Sequence, residues 1–165
     1  MTRFSLPSSP AADSPGDPRL LAALSRLSPD QLDALVGRWL RARSLHDVRL
    51  FERRGRISTY EARLGPLETS VHVRVCLRLH ALGVHPVEAF LGHLVRTGSS
   101  LGLLVTTGEC KWAATLAARF SRVPSLRLYS GEDWARELAA LGLLGPHDFN
   151  EDPFGSPSNP HRPRW

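Results

Sequence analysis

Residues Thr69 to His80 read TSVHVRVCLRLH, an unbroken alternation of two kinds of side chain. Val71, Val73, Val75, Leu77 and Leu79 fall on one side, and His72, Arg74, Cys76, Arg78 and His80 on the other. A period of two sustained this long specifies a β-strand, because successive side chains of an extended backbone point to opposite faces. One face is dry, and the other is left to do something else.

The stretches on either side fit around that strand. HDVRLFERR (46–54) and RISTYEARL (56–64) are extended as well, with Val48, Leu50 and Glu52 on one side of the first. Gly55 and then Gly65-Pro66 supply turns short enough to join antiparallel neighbours, which predicts a three-stranded meander. Upstream, Pro18 to Leu27 reads as a short helix burying Leu20, Leu21, Leu24 and Leu27. Ser28, Pro29 and Gln31 form a capping box, and the helix they open runs to about Arg43. Leu32, Leu35, Val36, Trp39 and Leu40 make its apolar stripe, with Asp33, Arg38 and Arg41 opposite. Downstream, Pro86 starts a helix with Val87, Phe90, Leu91, Leu94 and Val95 inward, and LGLLV (101–105) is a strand covered on both faces. A helix after Thr107-Gly108 places Ala113, Leu116, Ala117 and Phe120 inward, and LRLY (126–129) is the last strand. Ser130 and Asp133 cap a final helix carrying Trp134, Leu138 and Leu141, which ends at Gly142 or Gly145. The order α-α-β-β-β-α-β-α-β-α predicts an α/β fold with a central mixed five-stranded sheet flanked by helices.

The 165 residues suffice for one domain, expected over 18–145. The ends, 1–17 and 146–165, are rich in Pro and polar residues without periodicity and read as disordered tails. No stretch is apolar enough for a signal peptide or a membrane span, and two cysteines are too few for a disulfide framework. The expected setting is therefore cytoplasmic, away from membranes. The net charge is +5, and of the 21 basic residues 20 are arginine. Between Val36 and His80 ten arginines face four acids, a local excess of six that exceeds the whole chain's. Such a surface suits a polyanion, nucleic acid above all.

Several catalytic readings are tested by the residues themselves. His72, Cys76 and His80 share a strand face, but residues four apart on a strand lie about 13 Å apart. Zinc bonds of about 2.0–2.3 Å cannot bridge that distance, so no metal site is expected. Cys76 has cations and histidines on its face, as a reactive thiolate needs, yet a strand cysteine is more often a small buried hydrophobe. No P-loop, GxGxxG or G-x-S-x-G is present. Thr106-Thr107-Gly108 before a helix reads as an ordinary N-cap.

LSPDQLDALVGRWLRARSLHDVRL (27–50), VEAFLGHLVRTGSSLGLLVTTGECKWAATLAARF (87–120) and LRLYSGEDWARELAALGL (126–143) together resemble the Mrr-type restriction endonucleases. These belong to the PD-(D/E)xK nuclease superfamily, and the likeness covers about residues 25 to 145. It implies a restriction-endonuclease-like fold, DNA as partner and a site built from an acid on the second strand and a Q/E-x-K on the third. The equivalent positions here are Tyr60, or Glu61 after a one-residue shift, then Arg74 and Cys76, with Asp33 matching an acid on the opening helix. Arginine adds like-charge repulsion to a cation shell that wants carboxylate oxygens, and cysteine cannot supply a lysine's charge. The expectation is a nucleic-acid-binding pseudo-nuclease without cofactor, in which Arg53, Arg54, Arg56, Arg74 and Arg78 contact phosphate and Tyr60 lies nearby. Two alternatives stand beside it. One is an active Mg²⁺-dependent endonuclease using Asp33, Glu61 and Lys111, and the other a non-catalytic protein-interaction or homodimerisation module.

Overall fold

The computed structural model describes residues 18–77, 80–121 and 124–144. Both expected tails lie outside these residues, as does Arg78. Ten elements follow one another in the predicted order: α1 (Pro18–Arg26), α2 (Pro29–Ala42), β1 (Leu45–Arg54), β2 (Ile57–Leu64), β3 (Thr69–Cys76), α3 (Val84–Thr97), β4 (Leu101–Thr106), α4 (Trp112–Phe120), β5 (Ser125–Tyr129) and α5 (Gly131–Ala140). The strands form one sheet in the order β1-β2-β3-β4-β5. β1, β2 and β3 pair antiparallel, and β3, β4 and β5 pair parallel, which makes the sheet mixed. This is the α/β architecture expected of a restriction-endonuclease-like domain.

Local chemistry sets the boundaries. Ser28 Oγ accepts from the Gln31 amide at 3.2 Å while the Gln31 side chain accepts from the Ser28 amide at 2.9 Å, closing the capping box of α2. Ser130 and Asp133 repeat the device on α5. Gly55 turns β1 into β2 at φ +57°, a left-handed conformation that a residue with a Cβ adopts only with strain.

Helices cover both faces of the sheet. On one face Leu24 of α1, Leu32, Leu35, Val36, Trp39 and Leu40 of α2, and Trp134 and Leu138 of α5 pack on Tyr60, Ala62, Val71, Val73, Val75, Val105 and Tyr129. On the other, Val87, Phe90 and Leu94 of α3 and Ala114 and Ala118 of α4 pack on Cys76, Leu104 and Leu126. Among the described residues no helix is long and apolar enough to cross a membrane.

The structure corrects several expectations. β3 ends at Cys76, because Ile57 and Thr106 are the last partners on either side of it. Its polar face is not left open: α3 roofs it, leaving His72 3% and Cys76 1% exposed. β1 is an irregular edge strand whose register slips twice, so the simple alternation expected of Val48, Leu50 and Glu52 is broken, and Leu50 is 44% exposed. α4 begins at Trp112, four residues past Gly108, so the Thr106–Gly108 turn is not its cap. Its inner face is Ala114 and Ala118, while Phe120 is 78% exposed. Val95, expected inward on α3, is 66% exposed.

Candidate nucleic-acid interface

β1 and β3 both run antiparallel to β2, so the β1–β2 turn lies at the same end of the sheet as the C-terminal ends of β3, β4 and β5. In open α/β sheets that end is where ligands bind. Backbone bonds tie it together: the Leu77 amide donates to Arg56 O at 2.9 Å, and the Thr107 amide to Cys76 O at 3.2 Å. The sequence puts Arg53, Arg54 and Arg56 here, and alternation sends the first two to opposite faces.

Arg53 belongs to the α2 side. Its Nε donates to Ser58 Oγ at 3.0 Å, and its guanidinium pairs with the Asp33 carboxylate. Tyr60 donates its hydroxyl to the same Asp33 oxygen at 2.6 Å. Burial, and then the bond to Asp33, hold the Tyr60 hydroxyl protonated far beyond its ordinary range. Arg54 lies outward on the α3 side, donating to Glu52 Oε1 at 2.7 Å with 81% of its side chain exposed. Arg56, in the turn, donates from Nη2 to Ser25 O at 3.0 Å and so draws the end of α1, with exposed Arg26, against the hairpin.

Arg74 is a different kind of residue. Its Nε donates to Thr59 Oγ1 at 3.1 Å, and its guanidinium sits 4.7 Å from the Phe90 ring centre. Burial lowers its pKa from the usual arginine value, as expected for a cation roofed by a helix. It is half-buried on the α3 side, away from Tyr60, which faces α2.

The sheet therefore separates the positions that the family resemblance singles out. Asp33 and Tyr60 meet on the α2 face, and Glu61, Arg74 and Cys76 lie on the α3 face. Register gives the reason. Tyr60 pairs with Val73 and Ser58 with Val75, so the β3 side chains turned toward Asp33 are two valines. Glu61 pairs with His72 and holds ion pairs with Arg49 at 2.8 Å and Arg63 at 3.3 Å. The bond from Arg49 is the main reason its pKa lies below the usual carboxylate value.

A divalent cation at this fold's site would need converging oxygen ligands. Asp33 offers one carboxylate, already bonded to an arginine and a tyrosine, and its neighbours on β3 are apolar. These residues do not fit a magnesium ion. Among the described residues no group of three or more His, Cys, Asp or Glu side chains could hold a metal. Lys111, proposed for a rearranged site, lies at the N-cap position of α4, on the far side of the sheet from Asp33.

The sequence left unmarked a buried pair behind this site. His72 Nδ1 and His93 Nε2 lie 2.8 Å apart, one ring donating and the other accepting. Phe51, from the irregular stretch of β1, closes over both rings at 5.5 and 5.4 Å. No spacing in the sequence signals that contact, because it joins a strand to a helix.

No known family profile matches this chain, and no curated protein matches it. Among solved structures, it is similar to the MspJI restriction endonuclease, solved in complex with a 27-mer oligonucleotide. The TM-score is 0.45 at 19% sequence identity, and the match covers 72% of this chain and 30% of that one.

Proposed function

We propose that this chain is a nucleic-acid-binding protein, with DNA as its ligand, built on an Mrr-like nuclease fold whose cleavage chemistry is lost. The observation that carries the reading is the cationic end of the sheet, where Arg26, Arg53, Arg54 and Arg56 are gathered by the hairpin and its bond to α1. Their exposed members reach phosphate, and Arg53 braces the hairpin from beneath. The loss of cleavage is supported by Val73 and Val75 standing opposite a carboxylate already neutralised by Arg53.

Contacts of this kind are sequence-independent and release counterions, so affinity falls steeply with salt, about 0.9 in log–log slope per phosphate neutralised. Fluorescence anisotropy with a labelled duplex between about 50 and 200 mM salt measures that slope. Arg54→Ala/Arg56→Ala is expected to weaken binding at every salt concentration and to reduce the slope by about two. An unchanged slope and affinity would remove the hairpin from the interface. Supercoiled plasmid incubated with the protein and Mg²⁺ or Mn²⁺ is expected to stay intact, and nicking abolished by Glu61→Ala would restore the endonuclease alternative. A homodimer would bring two such ends onto one duplex. Light scattering of the complex reads its mass, and one chain per duplex removes the dimer from the proposal.

A further inference from the structure

In the hairpin, Arg53 and Arg54 each have a carboxylate partner. The cations of α4 do not, among the described residues. Lys111, at its N-cap position, and Arg119, in its last turn, are exposed, and neither forms an ion pair with a described residue. Each is followed at once by an aromatic residue standing out of the surface: Trp112 is 76% and Phe120 78% exposed. Large apolar side chains left this open mark a binding surface when they are grouped.

They are grouped here by helix geometry. Ala114 and Ala118 face the core. At 3.6 residues per turn, Trp112, Arg119 and Phe120 fall within an arc of about 100° on the opposite side. Eight residues at 1.5 Å rise place the two basic–aromatic pairs about 12 Å apart along the axis. That span covers three to four steps of a stacked strand at about 3.4 Å each. From Lys111 to Phe120 there is no acid, the nearest before it in sequence being Glu109.

Two occupants suit an apolar helix face, and charge decides between them. A second copy packed antiparallel about a two-fold axis would set Lys111 of each helix against Arg119 of the other, cation against cation in a desolvating contact. A polyanion with exposed π-faces meets the same surface favourably at both kinds of residue, because bases stack on aromatics while the backbone tracks the cations. Bases inside a duplex have no free faces to offer. We infer that α4 is a stacking platform for unpaired nucleic acid, with Trp112 and Phe120 each receiving a base and Lys111 and Arg119 holding the phosphates. The inference rests on the nucleic-acid reading above and adds to it a strand preference and a second surface.

The test compares a labelled oligo-dT with a duplex of the same length, using the full chain. Trp112→Ala/Phe120→Ala removes two exposed side chains, so the melting curve is expected to match wild type. Oligo-dT affinity is expected to fall about tenfold or more, with duplex affinity within twofold. In a Trp165→Phe background, oligo-dT is expected to quench the emission of exposed Trp112, and Trp112→Phe to abolish that change. Unchanged oligo-dT binding in the double variant would overturn the platform while leaving the hairpin interface standing. Failure of wild type to bind either oligonucleotide would remove both readings. A wild-type dimer that the double variant converts to a monomer, without loss of oligo-dT binding, would make α4 a self-association face and also overturn the proposal.

Discussion

Two imidazoles that lie 21 residues apart in the chain share one hydrogen bond, with Phe51 closing over both rings and Phe90 stacked on His93. Burial lowers the pKa of both below the ordinary 6.5. Arg63 and Arg74 push His72 further the same way against Glu61; His72, Arg74 and Arg96 do so for His93 against Glu52. The sign of the consequence follows from proton linkage. Below about pH 6.5 the unfolded chain binds protons at these two positions before the folded chain does, so stability is full above that value and is lost as pH falls toward the depressed native pKa values. Glu61 acts in a lower window, because its carboxylate is depressed below its ordinary 4.5. Urea unfolding at about pH 7 and pH 5 separates the two contributions. Wild type is expected to lose stability between them and His93→Gln to lose clearly less, whereas equal losses would exclude the pair as the cause. The pairing was illegible in the sequence, since two histidines on different elements carry no shared period. Alternation did put His72 on the right strand face; what covered that face was the missing information.

At the scale of elements, the legible features were those with local causes. Both capping boxes stand where Ser28 and Ser130 predict them, and the α2 stripe from Leu32 to Leu40 is buried throughout. α4 shows where local pattern fails. Its larger apolar residues suggest one inner face, yet the structure buries Ala114 and Ala118 and turns Trp112 and Phe120 outward. A short helix approaching α3 closely does so through small side chains, and burial of Trp112 and Phe120 would have turned Arg119, on the same arc, toward the core. A second close approach fixes the start of α5. A Cβ added to Gly131 would lie 2.4 Å from the Thr107 carbonyl oxygen, and the Gly131 amide donates to Gly108 O at 2.9 Å. The atom in the way is backbone, so it cannot swing aside as a side chain would. Gly131→Ala is expected to destabilise by about 1–3 kcal/mol, as overpacking does, measured as a shift of the urea midpoint at constant m-value. A midpoint unchanged from wild type would mean that the β4–α4 turn yields freely.

For the whole molecule, the sheet is a shared wall between two apolar layers. Successive residues of β4 show it most directly: Leu104 belongs to the α3–α4 layer and Val105 to the α1–α2–α5 layer, and both are 0% exposed. A strand that forms the floor of both cores cannot lose one and keep the other, so the chain should unfold as one cooperative unit despite its two clusters. The far layer contains its own reporter. Trp39 meets Tyr129 and Trp134 edge-on at 5.6 and 5.7 Å, an ordered aromatic cluster that near-ultraviolet circular dichroism detects. Leu104→Ala opens a cavity on the other side of the sheet and is expected to lower stability by about 2–5 kcal/mol. The near-ultraviolet signal of the untouched layer should then melt at the lowered temperature, together with the far-ultraviolet signal of the helices. Two separated transitions, with the Trp39 cluster melting as in wild type, would show instead that the layers are stabilised independently. The charged end of the sheet would then be held by the α1–α2 layer alone, because the hairpin is fastened there through Arg56 to Ser25 and through Arg53 to Asp33.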